Sequence, residues 1–309
     1  MKLRFSIIIP TLNRREMLIS AIQSIREQNW DQLEIIVVDG GSEDGTIGDL
    51  SRQRDIRLIE APGSGVYAAL NVGLEHLSGD IVGLLNSDDA YEARSFTRVA
   101  AAFEAFPVWD AVCGSALLVA GERVVTIFND DNDKALASPR TALIGSCMPN
   151  ARFFRRRAME QIGPFSLDYR YIADRDWLLR WYEAGFKTGA IPDVVYRYQQ
   201  HSGSLTFNAE RRNERAIREE LLMLARRWQT DPRASEETRR IARFLEGRNL
   251  TKLAFVSLWD GELADAGRLL FKKEGALSLV PLQNVSRGVT DWLTERAARS
   301  SAPPAKPYS

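Results

Sequence analysis

The chain has 309 residues, with 41 Lys+Arg against 41 Asp+Glu, a hydrophobic fraction of 45% and an aromatic fraction of 9%. That length fits one large domain or a domain with a smaller appendage, and the apolar content excludes wholesale disorder. The zero net charge argues against a nucleic-acid binder, two Cys exclude a disulfide scaffold or Cys-based zinc module, and with only two His, His76 and His201, any metal site must rely mainly on oxygen ligands.

Along the first 120 residues, short apolar runs alternate with helical patterns. FSIIIP (5–10) reads as a strand, followed by an amphipathic helix over 14–28. LEIIVVDG (33–40), IRLIE (56–60) and DIVGLLN (80–86) read as three more strands, with helical spacing over 66–77 and 93–106. Continuous apolar strands alternating with helices predict an α/β fold with a parallel sheet covered on both faces. Residues 110–128 read as two strands around a Gly121-Glu122 turn, 129–150 as a loop, 153–163 as a helix closed by Gly163-Pro164, and 174–185 as another helix. From about Asn208 the pattern is helix after helix, over 209–229, 234–247, 249–259 and 261–272, and 301–309 reads as a disordered tail. No apolar run approaches the ~18 residues of a membrane span, and Pro10 and Asn13 interrupt the apolar start, so the expectation is a soluble, cytoplasm-facing protein.

Ligands of open parallel sheets bind at the carboxyl ends of the strands. Four polar or glycine-rich segments fall there: Pro10-Thr11-Leu12-Asn13, Asp39-Gly40-Gly41-Ser42, Pro62-Gly63-Ser64-Gly65 and Asn86-Ser87-Asp88-Asp89. Their convergence predicts a site for a polar ligand. Asp88 and Asp89 repel one another unless a cation or hydrogen-bond donors offset them; oxygen-only ligands suit Mg²⁺ or Mn²⁺, and the alternative is that the pair caps the following helix. A dinucleotide fingerprint would place G-x-G-x-x-G after the first strand, where this chain has Pro-Thr-Leu-Asn, and no Walker-type phosphate loop occurs. Cys113 and Cys147 read as small buried residues. Arg152, Arg155, Arg156 and Arg157 read as a solvated face, and Trp177 and Trp181, four apart, either line an acceptor or pack.

The strings SIIIPTLNRREMLISAIQSIREQN, VVDGGSEDGT (37–46) and GDIVGLLNSDD (79–89) resemble the family 2 glycosyltransferases, which have the GT-A fold. GVYAALNVGL (65–74) and FFRRRAMEQIGPFSLDYRYIADRDWLLR (153–180) are similar to the bacterial subgroup that builds exopolysaccharide, capsule and lipopolysaccharide. The resemblance covers about residues 4–206. It implies a GT-A catalytic domain over 1–207, with a mostly parallel, Rossmann-like sheet, and a helical C-terminal extension over 208–300.

The resemblance further implies an inverting transfer from a nucleotide-diphosphate sugar of the uridine type to a hydroxyl of a glycan or polyprenyl-diphosphate-linked acceptor. Thr11, Asn13 and Asp39 would hold the nucleobase, and Asn86 the ribose. Pro10, Gly65, Tyr67, Asn71, Ser87 and Asp88 would complete the donor site, although Tyr67 reads equally as core packing. Asp88, with Asp89 and His201, would hold Mg²⁺ or Mn²⁺, and Asp174 would be the general base. Asn86 stands where relatives commonly have Asp and adds no charge to the cation, and Ala173 replaces the usual acidic neighbour of the base; both fit the alternative of a non-catalytic sugar-nucleotide-binding or assembly subunit. The C-terminal helices lie outside the resemblance. They are expected to pack on the catalytic domain or on a second subunit, or to lie on the inner membrane surface near a lipid-linked acceptor.

Overall fold

The computed structural model describes residues 2–129, 137–145, 148–201, 203 and 213–259. They group into two compact units, one of Met1–Asn213 with Arg233–Glu237, the other of Glu214–Pro232 with residues from Thr238 onward.

In the first unit, β1 (Phe5–Thr11), β2 (Leu33–Asp39), β3 (Ile56–Glu60) and β4 (Ile81–Leu84) pair in parallel. Every residue of β1 and β4 is buried, as expected of strands covered on both faces. Helices α1 (Arg15–Arg26), α2 (Thr46–Leu50) and α3 (Val66–Leu74) follow β1, β2 and β3 in turn. β5 (Ala90–Tyr91) and α4 (Ser95–Ala105) precede a mixed half built from β6 (Ala111–Ala120), β7 (Arg123–Phe128), β8 (Arg152–Arg155) and β9 (Thr188–Gln199). The sheet runs β3-β2-β1-β4-β8-β6-β9-β5, with β7 on the flank of β6. β8 is antiparallel to both β4 and β6, whereas β6 and β9 are parallel. The remaining helices of this unit are α5 (Pro139–Leu143), α6 (Arg156–Ile162) and α7 (Ala173–Glu183), with a 3-10 turn at Pro149–Ala151.

An aromatic cluster fills the centre: Phe5 stacks on Phe96 at 4.7 Å between centroids, and Phe153 and Tyr91 meet them edge-on or tilted. Gly73 lets α3 lie close on β1, since a Cβ there would sit 2.4 Å from Ile8 Cγ2.

Three expectations need correction. Residues 152–155 are a central strand and not the start of a helix, because RFFR buries both phenylalanines between β4 and β6. Arg152 is fully buried rather than part of a solvated face, and Arg155 donates to the Trp109 carbonyl at 2.8 Å. The helices expected over 234–247 and 249–259 are one helix, α9 (Glu236–Trp259), which follows α8 (Glu214–Thr230). Cys147, the 261–272 helix and the 301–309 tail lie outside the described residues. No described helix is long and apolar enough to cross a membrane.

Candidate active site

Parallel registry puts Thr11 beside Asp39, and Asp39 beside Glu60, at the carboxyl ends of β1, β2 and β3. Asp39 is fully buried; its Oδ1 accepts the N–H groups of Gly41 at 2.8 Å and Ser42 at 2.6 Å, forming the turn that leaves β2. Its Oδ2 has no partner among the described residues, and neither do the buried Thr11 Oγ1 and Ser64 Oγ. The main chains of the three segments meet at Gly40, where a Cβ would lie 3.3 Å from the Ser64 carbonyl and 3.5 Å from that of Thr11. Buried polar atoms are almost always satisfied by protein or water, so three orphans at and just beyond adjacent strand ends are available to a polar ligand or to water. Asn13, at φ 51°, is stitched to the neighbouring loop: its N–H donates to Ser42 Oγ and its Oδ1 accepts from the Glu43 N–H, each at 2.8 Å. Pro10 is buried within β1, and Gly65 is the N-cap of α3.

The segment after β4 separates its two carboxylates. Ser87 is buried, and Asp88 is partly exposed; Asp88 Oδ2 accepts from the Arg14 guanidinium and lies 2.8 Å from His201 Nε2. Asp89 turns inward and is 3% exposed. Its oxygens accept from Tyr196 Oη at 2.6 Å, Asn86 Nδ2 at 2.9 Å and the Gln199 N–H at 2.9 Å. Burial, and then the charge of Asp88, push the Asp89 carboxyl up to about 7, against the pull of those three donors. Asp89 is therefore committed to β9 and the interior, which corrects the expectation of a metal-binding carboxylate pair. Asn86 faces Asp89 as well. Among the described residues no group of three or more His, Cys, Asp or Glu is placed to hold a metal. Asp88 and His201 provide an oxygen and a nitrogen, a set that suits Mg²⁺ or Mn²⁺ when diphosphate oxygens complete the shell.

Asp174 sits in the first turn of α7, partly exposed. Its Oδ1 accepts from Tyr67 Oη at 3.1 Å and the Arg175 N–H at 2.9 Å, whereas no described residue bonds its Oδ2. Burial raises its pKa, with the Arg175 charge and the Tyr67 hydrogen bond opposing. One oxygen is thus held while the other is left to accept a proton, the arrangement a general base needs. Tyr67 Oη is also 3.1 Å from the Tyr171 carbonyl, and its ring lies 5.6 Å from that of Phe165, so Tyr67 both packs and reaches Asp174. Asn71 does not face the strand ends: its amide exchanges two hydrogen bonds with the Phe165 main chain, at 2.9 and 2.8 Å. Trp177 and Trp181 are fully buried and pack, with their indole N–H groups donating to the Gly163 carbonyl and Thr188 Oγ1.

Arg14 and Tyr196 are not marked by the sequence. Ser64 lay within a segment already marked, and Arg14 directly follows Asn13. Tyr196 carries no local signal, because its partner is more than a hundred residues away.

Residues 6–163 match the family described as glycosyl transferase family 2. A "PGL/p-HBAD biosynthesis glycosyltransferase" of Mycobacterium bovis (strain BCG / Pasteur 1173P2) is 32% identical over 213 residues, covering 64% of this chain and 78% of the relative. Among solved structures, S. aureus TarS 1-349 in complex with UDP-GlcNAc superposes with a TM-score of 0.61 at 18% identity, over 91% of this chain and 77% of that one. The mannosyltransferase PcManGT from Pyrobaculum calidifontis, in complex with GDP-Man and Mn²⁺, gives 0.57 at 22% identity, over 98% and 82%. Both show a shared GT-A fold.

Proposed function

The chain belongs to glycosyl transferase family 2, and from that premise we propose an inverting transfer from a uridine-diphosphate sugar to a hydroxyl of a glycan or polyprenyl-diphosphate-linked acceptor in cell-surface polysaccharide synthesis. The reading assigns catalysis to residues 1–207, with the helices that follow as an extension, and places the reaction in the cytoplasm, at the inner face of the membrane where a lipid-linked acceptor is presented. The observation that carries it is the half-held carboxylate of Asp174, bonded to Tyr67 in the first turn of α3, the helix that begins just after Ser64, whose Oγ is one of the buried polar atoms that lack partners at the strand ends.

Asp39 Oδ2 accepts the ring N–H of the base, and Thr11 and Ser64 hydroxyls satisfy its carbonyls. Fold neighbours hold UDP-GlcNAc and GDP-Man, so the fold tolerates either base and the side chains must choose. Asp88 and His201 would hold Mg²⁺ or Mn²⁺, which offsets the charge of the departing diphosphate when bound. Asp174 Oδ2 takes the proton of the acceptor hydroxyl as its oxygen bonds to the anomeric carbon; the bond from that carbon to the diphosphate breaks, and the nucleoside diphosphate leaves.

A thermal-shift panel of nucleotide sugars with and without Mn²⁺ tests the reading. A shift specific to uridine nucleotides is expected, and no shift with any nucleotide would overturn it. In the same panel, Asp39→Asn is expected to weaken UDP binding by about 10- to 100-fold, the worth of a hydrogen bond to a charged group. Its turn should survive, because Oδ1 still accepts the Gly41 and Ser42 N–H groups. Release of UDP from the donor in the presence of Mn²⁺ separates an enzyme from a binding subunit.

Tyr67→Phe should act through pH. The rate falls as the base gains its proton, so the acid limb of kcat/KM reports the Asp174 pKa, held above the ordinary carboxylate range by burial. Removing the Tyr67 hydrogen bond removes support for the charged form, so the limb moves to higher pH while the dissociation constant for UDP stays unchanged. An unmoved limb would show that Tyr67 does not serve the base.

A further inference from the structure

Arg14 stands just before α1, and its carbonyl already accepts the Leu18 N–H at 2.8 Å, so its main chain is fixed by the helix. Its side chain leaves the helix and crosses to the segment after β4. Nη1 donates to Asp88 Oδ2 and lies 3.3 Å from His201 Nε2, while Nη2 donates to the Gly203 carbonyl at 2.9 Å. The Gly203 N–H in turn lies 3.2 Å from His201 Nδ1. Donation to Nδ1 puts the ring proton on Nε2, directed at Asp88 Oδ2 2.8 Å away. Asp88 is therefore satisfied by a guanidinium and an imidazole N–H, and Nη1 touches both side chains that a divalent ion would need.

We propose that Arg14 is a resident cation of this site, holding Asp88 and His201 until a diphosphate is present to take up the guanidinium and release the pair to a divalent ion. The inference rests on the metal reading given above and adds an order to it, with diphosphate gating the ion. The physical reason is competition. A guanidinium and a divalent ion cannot share the Asp88 oxygen without repulsion between them, and a planar five-donor fork matches phosphate oxygens at least as well as a single carboxylate oxygen. Because the Arg14 main chain is anchored in α1, the exchange needs only side-chain rotation.

The test is Mn²⁺ binding to the full chain, followed by the electron paramagnetic resonance of free Mn²⁺, without nucleotide and then with UDP and, in a parallel arm, GDP. Wild type is expected to bind Mn²⁺ weakly alone and tightly with UDP. Arg14→Gln is expected to bind Mn²⁺ without nucleotide about 10-fold tighter than wild type or more, so that the gain produced by UDP shrinks. Asp88→Asn should remove binding in both arms. Unchanged melting temperatures establish that the variants fold; if Arg14→Gln does not, Arg14→Lys serves, since an ammonium lacks the fork that reaches Gly203 and Asp88 together. Equal Mn²⁺ affinity of wild type and variant in the absence of nucleotide overturns the proposal and leaves the metal reading standing. Wild type that binds no Mn²⁺ with either nucleotide overturns the metal reading, and the proposal with it.

Discussion

Asp174→Asn is expected to lower the turnover of sugar transfer by about 10²–10⁴-fold, the usual worth of a positioned general base, while the dissociation constant for the donor stays as in wild type. The amide is isosteric, and its oxygen still accepts from Tyr67 Oη and the Arg175 N–H, so the start of α7 should keep its shape. What disappears is the oxygen that takes the proton. Single-turnover transfer, measured beside donor titration, checks both halves. Transfer at the wild-type rate would remove Asp174 from the reaction, whereas a parallel loss of donor affinity would move it from base to binding group.

The second large effect falls on stability. Asp89→Ala leaves Tyr196 Oη, Asn86 Nδ2 and the Gln199 N–H without their acceptor in the interior. The expected cost is about 2–4 kcal/mol, a fall in Tm of roughly 5–15 °C. The pH dependence gives a signature. The folded-state carboxyl is raised to about 7, far above an unfolded value of about 3.9. The unfolded chain therefore loses its proton first, and the stability contributed by Asp89 declines as pH rises from about 4 to about 7. The deficit of Asp89→Ala should accordingly be larger near pH 5 than near pH 8. Denaturation in EDTA at both pH values checks this; a metal ligand would show no deficit in EDTA, and a deficit that grew with pH would contradict the buried-acid account.

The parallel half of the sheet was legible because its strands are local apolar runs with polar ends, and the site follows from where those ends must lie. Thr11, Asp39 and Asp88 fall in the segments marked this way, each within a few residues of a strand. β8 was missed because RFFR is short and flanked by arginines, and becomes a strand only through pairing with β4 and β6, about 40 to 70 residues away in sequence. The difference between Asp88 and Asp89 was equally hidden. Adjacent and chemically identical, they are distinguished by Tyr196 and Gln199 on β9 and by Arg14 before α1, partners that no local pattern announces. Asn71 was misplaced for a related reason: spacing put it one turn from Tyr67, and the Phe165 main chain, not the cleft, took its amide.

The loop between α6 and α7 is gripped through its main-chain carbonyls as well as through the buried rings of Phe165 and Tyr169. Arg180 donates to the carbonyls of Ile162 and Pro164, Trp177 to that of Gly163, and Asn71 to that of Phe165. Leu167, at 66% exposed, lies outside that packing. Gly163 is constrained by its φ of 79°, which favours glycine, and Phe165 and Tyr169 by burial, whereas an exposed apolar position such as Leu167 is open to drift over evolutionary time. Descendants of this sequence could rewrite that surface, and the partners it meets, while Tyr67 on one side and Asp174 on the other keep their registration.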